Sequence, residues 1–138
     1  MIIPGAVALE LKADKAPPAV KQWIKSPPEW LEVRQITVPA DLALARLDAG
    51  EREAIALAEA LGADALLLDE RAGRRETERR KIRVIVTVRI LDDAAETDFV
   101  NLPECLQKLR DLGFYLDERL VEFLLQRHSA RERRKSGT

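Results

Sequence analysis

Apolar and polar positions alternate most clearly over 82–91, where Ile82, Val84, Val86, Val88 and Ile90 share one face; β-branched residues at period two predict a strand. Asp92 and Asp93 follow and cap its end. A second alternation, Leu31, Val33, Ile36 and Val38, predicts a strand over 31–38 near a sheet edge, ended by Pro39. Leu66, Leu67 and Leu68 are continuously apolar, as in a short parallel strand covered by helices on both faces. Between these runs the period lengthens. Ile55, Ala58 and Leu61 lie on one face of a helix that Asp48 caps, with Glu51 in the capping-box position and Gly62 as the stop.

Weaker patterns fill in the rest. Pro4 opens a helix over 4–12 carrying Val7, Leu9, Glu10 and Leu11. The stretch 14–28 is a connector punctuated by Pro17, Pro18, Pro27 and Pro28 around a helical turn at 19–25, pinned by Trp23 and Trp30. Further helices are expected over 71–80, over 103–112 behind Pro103 and ahead of Gly113, and from Asp117 to about residue 127. The order α, β, α, β, α, β, α, α indicates a layered α/β fold with a mainly parallel sheet. No internal repeat is present.

Composition narrows the chemistry. The chain has 138 residues, 46% hydrophobic and 34% charged, which suits one domain with a core. A net charge of −1 gives no global attraction to nucleic acid, so any such attraction is local. Cys105 and His128 are the only cysteine and histidine; they exclude an internal disulfide, a cysteine-based zinc cluster and a multi-histidine site. No apolar run reaches membrane-span length, and residues 1–11 lack a basic start, so a cytoplasmic protein without membrane contact is expected.

The candidate site comes from carboxylates. Asp69 would sit at the carboxyl end of a buried strand, where open α/β sheets place ligands, and Glu51 at the mouth of the preceding helix. Two carboxylates there suit a hard divalent cation, the means by which a nuclease holds a phosphate. Glu51 has an alternative as a capping-box acid worth ~1 kcal/mol or less, and Asp69 one as a helix cap. Arg71, Arg75 and Arg79 recur every four residues beside Arg74, a face suited to a phosphate backbone or, with Glu76 and Glu78 interleaved, to solvent. Arg127, Arg131, Arg133, Arg134 and Lys135 look like a solubilising tail. Leu120, Val121, Leu124 and Leu125 form a stripe suited to the core or to another chain.

Residues 47–58 (LDAGEREAIALA), Gly62-Ala63-Asp64, 66–75 (LLLDERAGRR), 2–11 (IIPGAVALEL) and Leu109-Arg110-Asp111-Leu112-Gly113-Phe114-Tyr115-Leu116 together resemble a PIN domain. The nearer likeness is to PIN-like proteins described as nucleic-acid-binding. The resemblance implies a three-layer α/β/α fold and a Mg²⁺- or Mn²⁺-dependent ribonuclease, often the toxin of a VapBC-type toxin and antitoxin pair. It assigns Glu10, Glu51 and Asp69 to metal binding and catalysis, and Arg71, Arg74, Arg75 and Arg79 to nucleic acid. The family's first strand, with its aspartate, would precede Met1, so the chain reads as N-terminally truncated, and 84–90 stands where a threonine-glycine motif is expected. Asp92 or Asp93 is then a substitute metal ligand. The expected organisation is a PIN-like domain over 1–128 and a disordered basic tail over 129–138, with RNA, an antitoxin-like protein and a second copy of the chain as partners. The other expectation is an inactive PIN-derived interaction module.

Overall fold

The computed structural model describes residues 1–137, and the chain divides into two compact units, 1–84 and 85 onward. In the first unit, β1 (Ile2–Pro4) pairs in parallel with β2 (Glu32–Arg34), with Ile2, Ile3 and Pro4 opposite Glu32, Val33 and Arg34. A parallel pair needs a crossover; here α1 (Gly5–Lys12) and α2 (Pro18–Lys25) supply it. Ile3, Ala8, Ile24 and Leu31 bury the crossover against the strands. Pro4, expected inside the first helical turn, is its N-cap instead, and a strand precedes it. Trp23 and Trp30 pack on each other with ring centroids 6.2 Å apart, both remaining half-exposed.

α3 (Ala49–Leu61) forms as its sequence dictates. The Asp48 carboxylate accepts from the Glu51 amide at 2.9 Å, and Gly62 ends the helix at φ 57°, a left-handed conformation that glycine adopts without penalty. Ile55 and Ala56 bury that helix against Leu44 and Leu47. β3 (Leu66–Leu67) follows and pairs with β4 (Val84–Ile85), the strand at which the units divide, and α4 (Arg71–Arg79) lies between them in sequence. Arg80, just beyond α4, gathers Asp41 at 2.5 Å, Glu59 at 2.8 Å and Glu76 at 2.5 Å. Burial works against its charge, and the three carboxylates together outweigh it.

The second unit is helical: α5 (Thr87–Glu96), α6 (Leu102–Asp111) and α7 (Glu118–Ser136). Its core is Val88, Ala95, Leu102, Leu106, Leu116, Val121 and Leu124. Leu124 and Val121 are thus interior, as one expectation for that stripe had it. Two other expectations are corrected here. The strand over 82–91 shrinks to Val84–Ile85, because Val88, Leu91, Asp92 and Ala95 fall at helical spacing and three of them are fully buried. The residues read as a tail from 129 continue α7 to Ser136, held by ion pairs from Arg131 to Asp92 and Glu96 of α5 and from Lys135 to Asp98 just beyond it; Thr138 lies outside the described residues. The α/β class is borne out. Among the described residues its strands form two two-stranded sheets.

Candidate functional site

Glu10 on α1 and Glu51 at the first turn of α3 are brought together. α1 packs on α3, and the absence of a side chain at Gly50 leaves room for the Glu10 carboxylate. A Cβ at Gly50 would stand 2.5 Å from Glu10 Oε1, well inside van der Waals contact. Gly73, buried in α4, does the same for Glu51, whose Oε1 would be 3.3 Å from a Cβ there. Both expected acids are therefore seated on glycines contributed by neighbouring helices or helix starts.

Partial desolvation dominates their electrostatics, and neighbouring acids add to it. Burial and then Asp48 push the Glu10 carboxyl above the usual 4.5. Burial and Asp48 also raise Glu51, the Asp48 amide partly offsets this by donating to it, and Glu70 and Glu10 add to the rise. One half of the capping box is formed by a clear hydrogen bond, the Asp48 carboxylate accepting from the Glu51 amide at 2.9 Å, and the Glu51 carboxylate lies near enough to the Asp48 amide for that amide to favour its charged form. Among the described residues neither Glu10 nor Glu51 forms an ion pair.

Asp48 and Glu70 were missed as members of this cluster. The signals were present: Asp48 is the N-cap three residues before Glu51, and Glu70 is the N-cap position of α4, where it makes no side-chain capping bond. Asp69, half-buried between β3 and α4, is adjacent in sequence to the acid whose charge reaches Glu51.

Asp92 is corrected. It lies fully buried on α5, with Oδ1 2.7 Å from Arg131 and Oδ2 3.2 Å from Arg127. A carboxylate neutralised by two guanidiniums has no reason to exchange them for a cation, and Asp93 pairs with Arg89 at 3.3 Å. The arginine face is also narrower than its spacing suggests. Arg79 pairs with Glu76 at 2.6 Å, and its hydrogen bonds hold the Glu76 carboxyl below the ordinary carboxylate range. Arg74 is half-buried with an enclosed Nε that has no hydrogen-bond partner, while Arg71 and Arg75 are exposed.

Among the described residues no three Asp, Glu, His or Cys side chains are gathered closely enough to ligate one ion. A two-carboxylate site still fits a hard cation that keeps much of its water, as Mg²⁺ does when held by one or two carboxylates plus a phosphate. The seats that glycines leave for Glu10 and Glu51, and the absence of a positive partner, are consistent with that role.

The α/β arrangement of short parallel strands and helices is that of a PIN-like, nuclease-like fold. The chain belongs to the PIN domain family, whose model matches residues 1–130, and PIN domains generally use divalent metals. No curated protein and no solved structure matches the chain. Among the described residues no helix is long and apolar enough to cross a membrane.

Proposed function

We propose that the protein is a metal-dependent endoribonuclease of the cytoplasm, with Glu10 and Glu51 as the two acids that would hold one Mg²⁺ or Mn²⁺ and Asp69, which among the described residues forms no three-acid group with them, as a further carboxylate toward the phosphate. The observation that carries the proposal is the seating of the Glu10 carboxylate against Gly50, next in sequence to Glu51, with neither acid in an ion pair among the described residues and both held above the ordinary carboxylate range by partial desolvation and neighbouring acids. Such an arrangement costs stability and is repaired by an external positive charge. A divalent cation supplies Lewis acidity at a phosphoryl oxygen. The chain's own contribution is to aim Glu51 through the Asp48 amide, to set Glu10 over Gly50, and to offer Arg71 and Arg75 to the phosphate backbone.

A second function, an inactive PIN-derived module that binds an antitoxin-like protein or a second copy of itself, is favoured by the lack of a three-ligand acid group among the described residues. The deciding experiment is Mn²⁺ calorimetry on the wild type and on Glu51→Gln, with cleavage of a mixed RNA in parallel. Binding and cleavage that vanish together in the variant support the nuclease. A folded wild type that neither binds Mn²⁺ nor cuts RNA sinks it. The toxin role predicts growth arrest on expression, relieved by the product of a small neighbouring gene; unimpeded growth with an active enzyme would separate the two claims.

A further inference from the structure

α1 and α2 border an open cavity of about 510 Å³ lined by Lys12, Pro18, Lys21, Gln22 and Lys25. Lys21 and Lys25 are one turn apart on α2 and share a face, and Lys12 reaches the cavity from the last turn of α1. No acid lines it. The Lys21 ammonium has only the Asp14 carbonyl oxygen, at 3.4 Å, and among the described residues none of the three lysines forms an ion pair.

Some basic residues meet carboxylates, including Arg34, Arg79, Arg80, Arg89, Arg110, Arg127 and Arg131; among the described residues these three lysines do not, and they line one cavity. Residues 12–25 hold four lysines against one aspartate in a chain whose net charge is −1. Favourable contact with a helix C-terminus accounts for Lys12 and Lys25 one at a time. It does not account for Lys21, or for three ammonium groups converging on a space without a carboxylate.

We propose that this cavity docks the phosphate backbone of single-stranded RNA, with Lys12, Lys21 and Lys25 as the phosphate contacts and Gln22 as a neutral hydrogen-bonding partner. Lysine ammoniums are compact point charges that bind phosphate without demanding a planar, bidentate partner. Contacts of this kind position a strand without reading its sequence. The choice of RNA as the bearer of the phosphates rests on the nuclease assignment above, and the site would guide substrate from the α1–α2 side of the helix that carries Glu10.

The test is anisotropy of a labelled oligouridine across a salt series in EDTA, using the full chain and the combined Lys12→Gln, Lys21→Gln, Lys25→Gln variant. The variant is expected to weaken binding about tenfold or more at low salt and to reduce the slope of log K against log salt by about 2, since each single-strand phosphate contact contributes ~0.7. Helical circular dichroism and Mn²⁺ binding should be unchanged, and the matching Lys→Arg variant should restore the slope. Equal slopes in wild type and variant, or no RNA binding by the wild type, overturn the docking site. RNA cut with an unchanged slope does so while leaving the nuclease standing. RNA bound through the lysines but never cut does the reverse. Preferential, lysine-dependent binding of polyglutamate over RNA would overturn it in favour of an acidic protein partner.

Discussion

Two groups of carboxylates in this chain are treated in opposite ways. On α5, Asp92 and Glu96 face Arg127 and Arg131 of α7, and Lys135 reaches Asp98, so acids and bases alternate like rungs down one side of the second unit. In the first unit Glu51 lies within electrostatic reach of Asp48, Glu70 and Glu10, and Glu10 of Asp48, and among the described residues neither Glu10 nor Glu51 has such a counter-charge. The rungs are a structural use of charge, since burying an acid is tolerable when it is paired. The crowded acids are the opposite, a local cost that a folded chain keeps where an external ligand can relieve it. Pairing, more than the number of acids, separates scaffold from site.

Removing the acid from under its paired arginines should have the largest effect. Asp92→Ala leaves two guanidiniums without their buried counter-ion and is expected to lower the unfolding free energy by about 3 kcal/mol, near the low end for a buried pair because the arginines are partly exposed. Urea unfolding checks this, and a loss under about 1 kcal/mol would put the rungs with ordinary surface pairs. At the crowded acids the sign for stability reverses. Glu51→Gln keeps the capping box and removes a charge, so metal affinity or cleavage should fall about 100-fold while metal-free Tm holds or rises by up to about 3 °C. A variant that loses Tm instead would make Glu51 a structural acid alone.

Gly50→Ala is milder. The added methyl displaces the end of a flexible carboxylate, so Mn²⁺ affinity should fall about tenfold with the fold intact; unchanged affinity would detach Glu10 from the site. The smallest effect is in pH. Glu10 and Glu51 bind protons more tightly folded than unfolded, so metal-free stability should fall, by about 1 kcal/mol or less, as pH rises through their folded values above 4.5. Asp41 and Glu76, held low by hydrogen bonds from Arg80 and Arg79 respectively, act in the other direction: their contribution fades as pH drops below their ordinary values toward the lowered ones. Mn²⁺ should flatten the upper slope only. A metal-insensitive slope would mean that the crowded acids do not meet the ion.

Local signals carried the parts of the fold that are local. Asp48, Glu51 and Gly62 marked α3 from both ends because caps and stops act within a turn. Glu10 and Glu51 were legible through the PIN resemblance, but their glycine seats were not, since a seat depends on which helix lies opposite. The 82–91 stretch failed for a physical reason. Valine and isoleucine at alternate positions fit a strand, yet burial of Val88 and Ala95 in the helical core, together with the arginines awaiting Asp92, favours helix from Thr87 onward. Propensity was overridden by partners more than thirty residues away. The same partners extend α7 through residues whose composition alone suggested a tail.

The tryptophan pair gives the two units separate voices in an optical experiment. Trp23 and Trp30 are the only tryptophans, and both sit in the first unit, packed on each other and open to water. Intrinsic indole emission therefore follows the melting of residues 1–84 and is silent about the three helices that come after. Helical ellipticity follows both. Superimposable emission and ellipticity curves would mean that the halves unfold as one cooperative body; separated curves would assign the earlier or later transition directly to the half that carries the crowded acids.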